Sequence, residues 1–168
     1  MDFDYKLNLL DALNNLEQRG AFLTVKDEED RVNTMTIGWG NIGYEWGRPV
    51  FIVLVRESRY THELLERAED FTVSIPLDDK MKDALAFCGT KSGRDYDKFE
   101  DCGLNILDSK KVKSPAIGDC QMIYECKIVY KHDMDLQLLD DEVKNKWYSS
   151  DDGHTIYYGE IVNCYNND

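Results

Sequence analysis

A chain of 168 residues, 42% hydrophobic and 32% charged, is long enough to bury one core of ordinary size. Its formal net charge of −13 argues against sequence-independent binding to nucleic acid or to anionic membranes, both of which need basic surface. No stretch approaches the ~20 apolar residues of a membrane span, so neither partner is expected.

Leu7, Leu10, Leu13 and Leu16 fall at helical spacing and predict an amphipathic helix over 5–18, closed by Gly20. Ala21 to Val25 reads as a strand. A solvated acidic turn, Asp27-Glu28-Glu29-Asp30, leads to a second strand, Val32 to Trp39, so the pair resembles a hairpin. A glycine-rich loop, Gly40 to Pro49, runs to the unbroken apolar strand Val50 to Val55. A helical pattern follows over Thr61 to Ala68, then a strand over Phe71 to Ile75 that Pro76 stops. Asp78 caps a helix through Phe87, which Gly89 ends, and Asp95 to Cys102 forms a short helix closed by Gly103. The last third returns to β structure at Gln121 to Tyr130 and Thr155 to Val162. Between them, Leu136 to Trp147 is a polar loop with one helical turn or two. The fold class expected is mainly β with inserted helices, an antiparallel barrel or half-open sheet, in one domain over 1–168.

The N-terminal Met1-Asp2-Phe3-Asp4 lacks the basic and apolar blocks of a signal peptide. Five cysteines (Cys88, Cys102, Cys120, Cys126, Cys164) without a Cys-x-x-Cys, and only 3 histidines, argue against a zinc site, and no metal is expected. The thiols read as reduced and mostly buried, in a cytoplasm. No Gly-x-Gly-x-x-Gly follows a strand, which argues against a Rossmann dinucleotide domain.

Three segments could carry chemistry. Arg56-Glu57-Ser58-Arg59-Tyr60-Thr61 delivers two arginines and hydroxyls from a buried strand to a helix start, where free backbone N–H groups favour a phosphate. The plainer reading, a strand end with solvated arginines and Thr61 as an N-cap, stands beside it. Cys88-Gly89-Thr90-Lys91-Ser92-Gly93-Arg94-Asp95-Tyr96-Asp97-Lys98 gathers cations, hydroxyls and glycines that suit an anion, or a polar connection between helices. Asn33-Thr34-Met35-Thr36-Ile37-Gly38-Trp39 alternates small polar side chains with an apolar wall, as a flat heteroaromatic ring needs, or as any half-buried strand has.

These segments, in this order, together with His154-Thr155-Ile156-Tyr157-Tyr158-Gly159-Glu160-Ile161-Val162, resemble the flavin reductase-like family, whose FMN-binding domain is a split β-barrel related to flavoredoxin. The resemblance spans about residues 18–165. It implies FMN at the barrel edge, usually in a homodimer whose partner completes each pocket, with NAD(P)H or a redox protein as electron donor. Carried over residue by residue, Ser58, Arg59, Thr61 and Lys98 would hold the phosphate, with Arg56, Tyr60 and Ser92 nearby. Asn33, Thr34, Met35, Thr36 and Trp39 would line the ring, and Cys88, Gly89 and Thr90 would border the ring or the ribityl chain. His154 would lie near the ring, or serve as a strand-start histidine bonded to backbone. The segment 131–153 departs from the family pattern, and the acceptor is left unnamed.

Overall fold

The computed structural model describes residues 3–167; Met1 and Asp2, the start of the N-terminal stretch considered above, lie outside the described residues. The chain runs α1 (Leu9–Gln18), β1 (Ala21–Lys26), β2 (Val32–Ile37), β3 (Gly40–Glu45), β4 (Arg48–Arg56), α2 (Tyr60–Leu65) and β5 (Asp70–Ile75). A 3-10 turn (Asp79–Met81) precedes α3 (Lys82–Thr90) and α4 (Lys98–Cys102). There follow β6 (Ile106–Leu107), β7 (Ala116–Ile117), β8 (Met122–Asp133), α5 (Asp141–Trp147) and β9 (His154–Asn166).

Seven strands form one antiparallel sheet in the order β2-β1-β5-β8-β9-β4-β3. After the β3–β4 hairpin the chain crosses to the far side of the sheet before β5, a Greek-key type of path. The sheet curls until β2 approaches β4, giving the expected split barrel with β2 and β3 as its free edges. Inside the curl lie Leu23, Val25, Phe51, Val53, Val55, Phe71, Val73, Tyr124 and Tyr157. Outside it, Phe22, Leu85, Cys88, Leu104, Ile117 and Ile123 form a second cluster under α3 and the β6–β7 hairpin. Both faces of β1 and β5 are therefore covered, and their hydroxyls must find partners indoors. They do: Thr24 Oγ1 donates to Thr34 Oγ1 at 3.0 Å, Thr72 Oγ1 donates to Pro115 O at 2.6 Å, and Ser74 Oγ accepts from Ile117 N at 3.0 Å.

The structure departs from the sequence expectations at several places. Residues 40–49 form a strand and a tight turn instead of a loop. Glu45 pairs with Arg48, and Trp46 (φ 51°) and Gly47 (φ 75°) are both left-handed, as a two-residue hairpin turn requires. Glycines had hidden the strand, yet Gly40 is needed there: a Cβ would lie 3.0 Å from Ile52 O and 3.1 Å from the Phe51 ring. The first helix begins at Leu9 rather than at residue 5, which leaves Leu7 in the turn before it, and of Leu7, Leu10, Leu13 and Leu16 only Leu16 is buried, beside Ala12 and Asn15. Steps of three residues drift around a helix, and the inward face is set by the Ala12–Leu16 step of four. Asp27 is buried rather than solvated, accepting from Glu29 N and Arg31 N and pairing with the Arg31 side chain. Gly89 does not end α3 but lies inside it, where its bare face lets α3 approach Thr36. Asp78 caps the 3-10 turn, and β6 and β7, absent from the sequence expectations, close the second cluster.

All five thiols are free, four of them buried. Among the described residues, no helix is long and apolar enough to cross a membrane.

Candidate cofactor cleft along the edge of β2

Because β2 ends the sheet, every second residue points its amide groups away from β1. Thr34 does so: its carbonyl accepts from Lys98 Nζ at 2.9 Å. By the alternation of a strand, the N–H and C=O of Thr36 face the same way, off the edge. Three elements converge on that edge. Asn33 Nδ2 donates to Thr61 Oγ1 of α2 at 2.8 Å, Thr36 Oγ1 donates to Leu85 O of α3 at 2.6 Å, and Lys98 reaches in from α4. Thr61 is thus a buried acceptor and not the cap of α2, whose N-cap residue is Arg59.

The edge is flanked by adjoining depressions. One, of about 140 Å³, is lined by Asn33, Met35, Ser58, Arg59, Tyr60, Thr61, Cys88, Thr90, Lys91, Ser92, Gly93, Arg94 and Lys98. It brings together nearly all the residues that the resemblance assigns to the phosphate and ribityl end. The second, of about 220 Å³, shares Met35 and Arg59 with the first and adds Thr36, Ile37, Gly38, Trp39, Leu54, Arg56, Trp147 and His154. Gly89 borders a third cavity together with Thr36 and Thr90. Thr34, fully buried, contributes its carbonyl from beneath.

Arg56 lines the second depression and not the first. Its Nη1 and Nη2 donate to Asp152 O (2.6 Å) and Trp147 O (2.8 Å), and its guanidinium covers the Tyr148 ring. Ser58 is likewise engaged, its N–H and hydroxyl both donating to the Asp152 carboxylate. Leu54, Trp147, Tyr148 and Asp152 are missing from the sequence-derived set. The adjacent Trp147-Tyr148, aromatic in an otherwise polar stretch, was the signal available.

The electrostatics of the first depression are unbalanced. Lys98 is 4% exposed, and its Nζ bonds only to the carbonyls of Thr34 and Cys88, each at 2.9 Å. Burial first, and the neighbouring Arg59 charge second, hold its pKa below the usual lysine value. Arg59 Nη1 donates to Gly89 O at 3.2 Å. Among the described residues neither cation has a carboxylate within ion-pair distance, although Arg94 pairs with Glu63 at 3.0 Å. In a chain of net charge −13, two unpaired cations in one pocket are a strong preference for an external anion. The 91–97 connection closes the pocket only because residue 93 is glycine, since a Cβ there would lie 2.1 Å from Asn33 Oδ1.

His154, 6% exposed, meets Tyr148 OH through Nδ1 at 2.8 Å, and its ring lies 5.4 Å from that of Trp39. Burial, then the Arg56 charge, lower its pKa from 6.5 to about 4, so the imidazole is neutral at pH 7. Below pH 6.5 the unfolded chain takes up a proton that the folded chain refuses, so this contribution to stability is complete above 6.5 and is lost as pH falls toward 4. His154→Gln should flatten that part of the slope. Urea midpoints of the two proteins at pH 5 and pH 7.5 check this, and parallel slopes would show that His154 is not the group responsible.

The model of the flavin reductase like domain matches residues 14–168. An uncharacterised protein of Archaeoglobus fulgidus is 31% identical over 162 residues, which are 96% of this chain and 78% of its own. Flavoredoxin of Desulfovibrio vulgaris (Miyazaki F) superimposes with a TM-score of 0.70 at 24% identity, over 89% of this chain and 69% of that one. An FMN-binding protein of Thermus thermophilus, solved with bound 1-cyclohex-2-enone, gives a TM-score of 0.67 at 24% identity, over 88% of this chain and 70% of that one. The structural likenesses speak for the fold, and the domain match over residues 14–168 for the lineage: this chain belongs to the flavin reductase like family.

Proposed function

We propose that the cleft along β2 binds FMN and that the protein is an NAD(P)H-dependent oxidoreductase of the flavin reductase type, passing electrons from a nicotinamide to a flavin or another acceptor. The observation that carries the reading is the buried Lys98 ammonium beside Arg59, without a carboxylate partner among the described residues. A phosphate monoester, whose charge is between one and two at pH 7, supplies the missing anion. Lys98 and Arg59 would hold it with the hydroxyls of Thr61 and Ser92. The edge groups of Thr36 offer a donor and an acceptor to ring heteroatoms, Met35 offers apolar surface, and Thr34 acts from beneath by holding Lys98. FMN, when bound, supplies the hydride and electron chemistry. The protein's tasks are then to orient, to exclude water and to place charge. His154, neutral at pH 7, offers a hydrogen bond and not a stored proton.

A second reading is an electron-transfer protein reduced by a protein partner. The net charge of −13 favours it, since an acidic surface steers a basic redox partner. A cofactor-free structural barrel accounts poorly for the unpaired cations. The reading includes a homodimer completing each cleft, and a cytoplasmic setting in keeping with the free thiols.

The visible spectrum of the purified protein, with an FMN titration, tests both flavin readings, and a protein that is colourless and fails to bind added FMN overturns them. Anaerobic addition of NADH or NADPH then separates them: bleaching is expected, and persistent colour points to the electron carrier. Arg59→Ala should weaken FMN binding about tenfold, the scale of one charge-assisted hydrogen bond of ~1.5 kcal/mol, measured by fluorescence quenching. Unchanged affinity would move the phosphate elsewhere.

A further inference from the structure

The family resemblance would put Arg56 near the phosphate, yet its two terminal nitrogens are spent on the carbonyls of Asp152 and Trp147. The neighbouring residues of the β4–α2 junction grip the same segment. Glu57 N donates to Gly153 O at 3.1 Å, and Ser58 holds the Asp152 carboxylate through its amide and its hydroxyl, the latter at 2.7 Å. Three consecutive residues therefore clasp 147–153 to the end of β4. What the clasp presents to the cleft is Trp147, 44% exposed, set edge-on to Trp39 with ring centroids 5.1 Å apart. His154 lies beside Trp39, and Leu54 lines the same cleft. Among the described residues His154 is the one imidazole that lines this cleft of about 220 Å³, and no carboxylate or thiol lines it, so a bare metal cation finds too few ligands there, whereas a flat conjugated ring finds indole surface.

We propose that Trp147 and Trp39 wall a subsite for the flat ring of the second reactant, and that Arg56 is a positioning residue that holds Trp147 there. The inference rests on the FMN reading for its kinetics but not for its geometry. The shared chemistry is a planar electron-carrying ring, either the nicotinamide of the donor or a ring-shaped acceptor such as a quinone.

The test has a part that needs no cofactor. A close Trp–Trp pair gives a coupled signal in near-UV circular dichroism, which Trp147→Ala should abolish. Arg56→Gln should lose most of it although both tryptophans remain, and Ser58→Ala, at an exposed site, should lose part. An undiminished pair signal in Arg56→Gln and Ser58→Ala overturns the clasp, and so does Arg56→Gln weakening FMN with the pair signal intact. In the FMN-loaded protein, Trp147→Ala should raise KM about five- to tenfold for the reactant that uses the subsite, with Trp147→Phe restoring most of it. A rise for NADH or NADPH assigns the nicotinamide, and a rise for 2-methyl-1,4-naphthoquinone assigns the acceptor. No change in either KM overturns the subsite. Failure of the wild-type protein to take up FMN would overturn the proposed function but leave the dichroism result standing.

Discussion

Replacing Lys98 by methionine is expected to weaken FMN binding at least about hundredfold, ~3 kcal/mol, while riboflavin affinity changes less than about threefold. Methionine keeps the stem's apolar packing and removes only the ammonium. In the folded protein that ammonium is 4% exposed and bonded to two carbonyls, which leaves one N–H to donate. A bond from a desolvated charge to a phosphate is worth more than the same bond at the surface, because the surroundings screen it less. Isothermal titration with FMN and riboflavin in parallel checks the phosphate assignment, and an equal loss for both would move Lys98 to the ring. The pH dependence follows from the same burial. Lys98 has its folded pKa lowered from 10.5, so just below that value the unfolded chain binds more protons than the folded one. Without a ligand, stability should rise with pH through that window. A bound phosphate favours the ammonium, so FMN affinity should fall as pH rises through it, at a lower pH than an ordinary lysine would give.

A second large effect is expected at Gly159, which lines neither depression of the cleft. Gly159→Ala should destabilise the protein by about 3 kcal/mol, lowering its melting temperature by roughly 6–12 °C. The position lies on β9 between Phe51 of β4 and Ile128 of β8, next to the irregular pairing of Ile128 and Tyr130. A Cβ there would fall 2.5 Å from Phe71 Cζ and 2.7 Å from Cys126 Cβ, both fully buried. The Cys126 contact is the stiffer one, because Cβ moves only with its backbone. In urea unfolding, adding Phe71→Leu to Gly159→Ala should recover part of the loss by removing the ring tip. A loss below about 1 kcal/mol for Gly159→Ala would show that the strand yields at its bulge.

The clasp and the smaller depression proposed for the phosphate meet at Ser58, which lines that depression while its hydroxyl donates to Asp152. Any ligand that recruits Ser58 must compete with that carboxylate, so Ser58 is a weaker candidate for the phosphate than Arg59 or Lys98.

How much was legible in advance follows from the range of the forces involved. Strand and helix types came through where the signal is local: the apolar run of β4, the hairpin of β1 and β2, and Gly103 in the left-handed position after α4. The ordered motifs at 33–39, 56–61, 88–98 and 154–162 determined the family, because backbone approach to a ligand constrains residue type at fixed spacing. The glycine-rich β3 was hidden, since its pairing with β4 is a long-range fact that no alternation in its own sequence announces. Only the tertiary structure decided which arginine lines the small depression with Lys98. Arg56 and Arg59 are three residues apart and chemically alike, but Arg56 ends a strand against the 147–153 segment and Arg59 begins a helix beside Gly89 and Lys98. A guanidinium's role is set by the acceptors within its reach, and those come from parts of the chain that folding alone brings together.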